Sequence, residues 1–391
     1  MLNSTFPEIK GEAQGSWAHF TLTERVPSIL DKIMAVNQLD QSCRQAIEEL
    51  KNEIPYHQLY FPEELSSNPE VDKLWQQEIT RTGPKNWLQV SFYWAESYLY
   101  FRLQKIIDHH QPGLDPFAAI KNEDVQSNLS FMKKLCDFSA HTDDLSLLCL
   151  FTLWGNRSDL SQLHWDKEKT SEIREVKEKM EAKLLVDHTD YLIAQLQSIN
   201  HLDMILDNAG LELFTDLLLV DYLIRKEMVQ QVTLHFKPYP TFVSDALPHD
   251  YTYLIGSLEK AEESEFVIRM QQYIDSGQIR FKSTQFWNQP RYLFEAEENI
   301  FEGSDLIIAK GDANYRRLLG DYHFPPDYPV IKLGGYLDIP FFAIRTPKSE
   351  LIAGVESAMV EKVNEKDPEW MINGEWGMIQ FCNGVTKTLV I

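Results

Sequence analysis

In the second half of the chain, four apolar runs that read as β-strands each stop on a polar cluster. The clusters are Asp207-Asn208-Ala209-Gly210, Ser244-Asp245, Lys310 to Arg316, and Arg345-Thr346-Pro347-Lys348. Carboxylates come early and cations late, a distribution suited to holding a metal ion and an anion side by side. Asp207 and Asn208 offer hard oxygens directly after one strand, and Asp245 offers another carboxylate at the end of the next. Neighbouring parallel strands run about 5 Å apart, so side chains from two tips can converge on one ion. Two carboxylates and an amide oxygen, completed by water, suit Mg²⁺ or Mn²⁺ better than a soft-ligand zinc site. The alternative for Asp207 and Asn208 is to cap the helix that starts near Leu211.

The run Lys310-Gly311-Asp312-Ala313-Asn314-Tyr315-Arg316 is the densest of the four. Gly311 allows a tight turn at the strand tip. Lys310 and Arg316 bring positive charge to a helix N-terminus, where anions bind. Asp312 is a candidate to orient a water or the metal shell, and Asn314 to hydrogen-bond a hydroxyl. In the last cluster Arg345 presents a fork that matches phosphate oxygens, and Lys348 adds a point charge. Glu212 falls in the first turn of the helix after Asp207. It either complements that helix N-terminus or serves as a substrate hydrogen-bond acceptor. Asn156 and Asp159, in Trp-Gly-Asn-Arg-Ser-Asp-Leu-Ser, either cap a helix end or face a cleft. The sequence has no Gly-x-Ser-x-Gly elbow, no phosphate-binding P-loop and no His-Glu-x-x-His zinc spacing.

Positioning these clusters requires a sheet. Leu202–Leu206, Val232–Phe236, Ile279 with Phe281, Leu306–Ala309 and Phe341–Ile344 read as strands, with helices over 211–224 and 259–273 between them. Strand alternating with helix predicts a parallel sheet covered on both faces, and ligands of such sheets bind at the carboxyl ends of the strands. From about residue 20 to 195 the periodicity is helical. It includes an aromatic-rich helix over 87–107 ended by Gln111-Pro112-Gly113, an apolar helix over 145–154, and a charged, solvated one over 166–181. With 391 residues, two domains are the default, a helical one over 1–195 and a catalytic one over 196–391.

A formal net charge of −22 repels nucleic acid and anionic lipid, so neither is an expected partner. It also means that an anionic substrate needs a bound cation and local Lys or Arg. The four cysteines are scattered with no Cys-x-x-Cys pair, as reduced thiols would be. The opening residues lack a basic-then-apolar signal, and the longest apolar run, 145–154, is too short to span a bilayer. A cytoplasmic protein is expected.

Several motifs together carry a resemblance. They are Thr-x-x-x-Arg-x-Pro-x-Ile-Leu from Thr21, Phe-Tyr-Trp-Ala-Glu-Ser-Tyr-Leu-Tyr, Trp-Gly-Asn-Arg-Ser-Asp-Leu-Ser, Asp-Asn-Ala-Gly-x-Glu, Phe-Val-Ser-Asp, Lys-Gly-Asp-x-Asn-Tyr-Arg-Arg-Leu and Arg-Thr-x-Lys. In this order, over nearly the whole chain, they resemble the metal-dependent damage-control phosphatase family. The likeness is to its sugar-phosphate branch, also described as acidic-residue methyltransferases. The resemblance implies an α/β fold, a Rossmann-like three-layer α/β/α domain with a mainly parallel sheet, preceded by an all-helical N-terminal domain. It implies Asp207, Asn208 and Asp245 as ligands of a divalent ion (Mn²⁺, Ni²⁺, Co²⁺ or Mg²⁺). Asp312, Asn314, Tyr315 and Arg316 would line the substrate pocket, with Lys348 on the phosphate. Glu212 matches a position assigned to S-adenosylmethionine. Ala313 stands where some relatives carry a larger apolar residue. Asp207, Asp245 and Asp312 are thus the catalytic candidates, and the expected substrate is a small sugar phosphate such as fructose 1-phosphate. Carboxyl methylation is the alternative, disfavoured because the turn after the first strand has one glycine.

Overall fold

A computed structural model describes residues 6–63, 68–155, 170–296 and 299–384. Seven strands form one sheet in the order β1-β7-β6-β5-β2-β3-β4. They are β1 (Leu184–Asp187), β2 (His201–Ile205), β3 (Gln231–Phe236), β4 (Ile279–Ser283), β5 (Leu306–Lys310), β6 (Phe341–Arg345) and β7 (Gly377–Cys382). Strands β2 to β6 are mutually parallel. β7 runs antiparallel to β6, and β1 follows β7 in parallel, so this edge pair runs opposite to the rest. All five expected strands are present; β1 and β7 were not anticipated.

Helices flank the sheet on both sides. The N-terminal ones are α1 (Trp17–Phe20), a π-helical turn over Thr21–Arg25, α2 (Val26–Val36), α3 (Gln41–Glu53), α4 (Pro69–Thr82), α5 (Phe92–His110), α6 (Ala118–His141), α7 (Leu145–Trp154) and α8 (Thr170–Glu181). Within and after the sheet come α9 (Thr189–Leu196), α10 (Leu211–Arg225), α11 (Pro248–Lys260), α12 (Ser264–Asp275), α13 (Asp312–Leu319), α14 (Ile331–Gly334) and α15 (Ser357–Lys366). The aromatic helix begins at Phe92 rather than Trp87, because Ser91 Oγ accepts from Trp94 N at 3.3 Å and caps it there. The helix expected over 259–273 is two helices, broken where Glu262 takes a φ of 65 degrees. Among the described residues no helix is long and apolar enough to cross a membrane. The four cysteines are buried and unpaired.

The sheet is the wall between two apolar cores, because a strand sends alternate residues to opposite faces. Leu306 and Ile308 of β5 join a core with α6, α7, α10, α11 and α12. Ile307 and Ala309 join the other, with α2, α3 and α5. A smaller core built on Trp370 and Trp376 covers β1 and β7. Helices from before residue 195 therefore pack on both faces of the sheet, and β1 itself lies before that position.

β2 has β3 on one side and β5 on the other. The chain leaves β2 toward β3 and later returns to β5, which opens a crevice where the strand order reverses, the usual ligand position of such sheets. Asp207 follows β2 and Gly311 follows β5, so both stand at its mouth.

Candidate active site

Asp207 and Asp245 are brought together by backbone pairing. Ala209 N donates to Ser244 O at 2.7 Å and Ala246 N donates to Asp207 O at 2.8 Å, which makes a short antiparallel bridge between Asn208 and Asp245. This corrects the expected route. β3 ends at Phe236, and Asp245 lies beyond it in a loop that doubles back, not at a strand tip. In that loop Phe242 and Val243 take φ of 46 and 69 degrees. A β-branched residue in the left-handed region is strained, a cost of about 1–3 kcal/mol that clusters at functional sites.

Asn208 ties the first cluster into one unit. Its Nδ2 donates to Asp207 Oδ2 and to Glu212 Oε2, both at 2.7 Å, and its Oδ1 accepts from Ser244 Oγ. The helix carrying Glu212 is not capped by Asp207 or Asn208. Asp124, from α6, accepts from Leu211 N at 2.7 Å instead, which leaves Asp207 free to face the crevice. A cavity of about 120 Å³ opens there. Its walls include Asp207, Asn208, Glu212, Asp245, Asp312, Arg316, Arg345 and Lys348. Eight residues singled out in the sequence, from four separate loops and helix starts, thus border one space.

Lys310, Asn314 and Tyr315 do not line it. Lys310 points back into the protein, fully buried, and its ammonium donates to Thr152 O at 2.7 Å and to Glu212 Oε1 and Asp216 Oδ1, each at 2.8 Å. Burial opposes this charge, but Asp216 and Glu212 outweigh it and raise the Lys310 pKa. Asn314 Nδ2 donates to Leu206 O and Lys310 O, fastening α13 to β2 and β5. Tyr315 lies under Arg345, whose guanidinium is 3.7 Å from its ring centroid, and donates its hydroxyl proton to Gln380 Oε1 at 2.9 Å. Asn156 and Asp159 lie outside the described residues.

Two of the lining cations are also committed. Arg316 donates to Asp321 through Nε and Nη2 and to Glu96 through Nη1 at 2.5 Å. Arg345 donates from Nη1 to Asp312 Oδ1 at 2.6 Å and from Nη2 to Leu351 O at 2.7 Å. Lys348 N also donates to Asp312 Oδ1, at 3.1 Å. Asp312 Oδ2 takes no hydrogen bond from the described residues.

The residues present fit a cation. Burial, then the charges of Glu212 and Asp245, push the Asp207 carboxyl well above its usual range, against the pull of Lys237 and Lys348. Burial likewise raises Asp245, against Lys237 and Arg317. Asp245 Oδ2 lies 3.4 Å from Lys237 Nζ yet is buried without a hydrogen bond. Excess negative charge and an unsatisfied carboxylate oxygen are what a divalent ion would satisfy. Asn208 Oδ1 keeps a second lone pair for such an ion.

A second set, Asp115, His249 and Asp250, also has ligand atoms close enough together for a metal. The Lys121 ammonium already sits between its two carboxylates, 3.0 Å from Asp115 and 2.9 Å from Asp250. A protein cation therefore fills the place an ion would take.

Sequence reasoning gave no role to Thr21, Arg25 and Glu96, which reach the cavity from the helical region. Nor did it find Lys237 and Asp216, buried beneath it. Glu212 and Asp216, one helical turn apart on a mostly apolar helix, were a signal that a buried cation stands nearby.

The damage-control phosphatase ARMT1-like domain matches residues 21–363. The protein named damage-control phosphatase ARMT1 from Danio rerio is 26% identical over 435 residues, covering 96% of this chain and 96% of its own. Its namesake from Mus musculus is 26% identical, covering 95% and 98% respectively. A solved DUF89 family protein from Pyrococcus horikoshii shares the fold, with a TM-score of 0.50 at 16% identity, over 94% of this chain and 98% of its own. With the match running from the helical wall of the cavity through the last strand that borders it, this chain belongs to the ARMT1-like damage-control phosphatase family.

Proposed function

We propose that the protein is a metal-dependent phosphomonoesterase acting on small sugar phosphates of the fructose 1-phosphate kind, in a house-cleaning role. The observation that carries this reading is the single cavity bordered by Asp207, Asn208 and Asp245 together with Asp312 and Lys348. Asp207, Asn208 and Asp245 would hold the divalent ion through hard oxygens. When bound, the ion supplies Lewis-acid polarisation of the phosphoryl group and activates a nucleophile at neutral pH.

This chain's own groups do the rest. Lys348 carries an uncommitted ammonium into the cavity and offsets charge on the equatorial oxygens as it develops. Asp312 is held rigidly through Oδ1, and its Oδ2 is left to orient the attacking water. Arg345 and Arg316 fix Asp312 and the cavity wall; they reach the substrate through the residues they hold. Lys310 holds Glu212, Glu212 holds Asn208, and Asn208 holds Asp207, a chain of charged and amide contacts that sets the carboxylate's position. The helical region before residue 195 supplies the opposite wall of the site.

The test is phosphate release from a panel of sugar phosphates by chelator-stripped protein, with Mn²⁺, Co²⁺, Ni²⁺ or Mg²⁺ restored singly and labelled S-adenosylmethionine run in parallel. Release that depends on an added ion is expected. Metal-independent methyl incorporation with no phosphate release would reverse the reading.

A further inference from the structure

An anion needs cations that can grip it, yet two of the four that line the cavity are committed to protein groups. Lys310, behind the cavity, has all three ammonium protons on protein oxygens, Arg316 is fastened to the carboxylates of Asp321 and Glu96, and Arg345 to the Asp312 carboxylate and a backbone carbonyl. Among the cavity's lining residues, two cationic side chains make no hydrogen bond or ion pair with the described residues, those of Lys348 and Arg25. Arg25 comes from the helical region. Its guanidinium lies 5.7 Å from the Trp17 ring centroid, a contact that holds it without consuming its donors. In a chain with 59 acidic and 37 basic residues, an arginine at the cavity rim that meets Glu96 only through its charge, with its donors untaken, stands out.

Arg25 closes a π-helical turn that opens at Thr21, where Val26 N donates to Thr21 O across the widened turn. Such turns are uncommon and recur at functional sites. Thr21 is only 2% exposed and lines the same cavity, and its Oγ1 has no hydrogen-bond partner. A buried hydroxyl without a partner calls for an explanation, and helical residues four apart share a face. A ligand in the cavity would satisfy the hydroxyl and the guanidinium together.

We propose that Thr21 and Arg25 form a second substrate-binding edge, with Arg25 gripping the phosphoryl group of a phosphorylated polyol and Thr21 hydrogen-bonding one of its hydroxyls. The identity of the substrate rests on the function proposed above; the anion grip of Arg25 does not. A guanidinium fork engages two phosphoryl oxygens at once. It thereby orients the phosphorus, while Lys348 serves as the point charge beside the carboxylates. The wall that carries Thr21 and Arg25 therefore selects for a phosphate that bears a hydroxylated chain.

The decisive measurement is calorimetric binding of inorganic phosphate to the Mn²⁺-loaded full-length protein, beside KM and kcat for a sugar phosphate. Arg25→Ala should weaken phosphate binding and raise KM by about tenfold or more, the scale of a charge-assisted bond, with kcat changed far less. Arg25→Lys should recover part of the loss, as charge without the fork. Thr21→Val should raise KM for the sugar phosphate by about three- to tenfold, the loss of one hydrogen bond, and leave binding of inorganic phosphate close to that of the wild type. Equal phosphate binding by Arg25→Ala and the wild type, or none by either, overturns the assignment. Phosphate binding that depends on Arg25 in a protein that hydrolyses no sugar phosphate leaves the anion site standing and removes the proposed function instead.

Discussion

A Cβ placed on Gly311 would stand 2.0 Å from the carboxylate carbon of Asp207. The glycine also has a φ of 80 degrees, so it is required twice, for the turn and for the room it leaves. The tip of β5 is therefore the floor on which the Asp207 carboxylate rests. Gly311→Ala must displace that carboxylate or the turn, and a displacement of about 1 Å at a reacting centre can cost about a hundredfold in rate. A hundredfold fall in metal-dependent turnover is expected. Gly256→Ala is the control, because a Cβ there meets nothing within 4 Å. It should keep full turnover and gain about 0.5–1 kcal/mol from helix propensity, read as a rise in melting temperature.

Lys310 offers a sharper contrast, because it ends a strand beside the cavity yet faces away from it. As a phosphate-binding cation it would lose substrate affinity on substitution and keep its fold. Buried between Glu212 and Asp216, it should first of all cost the fold its stability. Lys310→Met leaves two buried carboxylates without their cation, a loss of about 3–5 kcal/mol, measurable by urea denaturation. Adding Glu212→Gln and Asp216→Asn to Lys310→Met should restore part of it, since the uncompensated charges are then gone.

Lys310 and Gly311, adjacent at the tip of β5 yet serving opposite sides of it, mark the limit of what the letters disclose. Leu306 to Ala309 and Phe341 to Ile344 read as strands because a buried parallel strand is a continuous apolar run. β7 escaped notice because Gln380 interrupts it; the amide is buried, accepting from Tyr315 OH and donating to Ala353 O. β1 is only Leu-Leu-Val-Asp after a charged helix. The candidate residues were legible as types, since Asp207, Asp245, Asp312 and Lys348 all reach one cavity. Their directions were not. A lysine at a strand end has the same letter whether it enters the crevice, as a ligand would, or turns into the core to meet Asp216. Asp245 arrived at its expected neighbour by a loop and a two-residue bridge that no local pattern announces.

The crowding of Asp207, Glu212 and Asp245 has a consequence for stability without metal. Burial disfavours the ionised forms of Asp207 and Asp245, and for Asp207 the charges of Glu212 and Asp245 add to it. Asp207→Asn or Asp245→Asn should abolish metal-dependent phosphate release. The same substitutions should raise the melting temperature of the chelated protein by about 2 °C or more, the size of shift that about 1 kcal/mol produces in a large domain. They should also remove the further rise that added Mn²⁺ gives the wild type. A lower melting temperature in the chelated Asp207→Asn protein would mean that this carboxylate serves the fold and not an ion.

His249 supplies the pH-dependent case. Its hydrogen bond to Asp115 raises its pKa above the ordinary 6.5, with burial opposing and Asp250 and Asp115 adding charge. Because the folded protein binds this proton more tightly than the unfolded chain does, the stabilisation is fully present below pH 6.5 and fades as pH rises through the higher folded value. The ring is 56% exposed, so solvent screening keeps the effect below about 1 kcal/mol. His249→Gln should lower the melting temperature at pH 6 and leave it nearly unchanged at pH 9. The Lys121 ammonium between Asp115 and Asp250 makes a further demand on the same cluster. An ion entering there would have to displace that ammonium and deprotonate His249, so Mg²⁺ should not move the His249 titration followed by NMR. A lowered His249 pKa on adding Mg²⁺ would make this cluster a metal site after all.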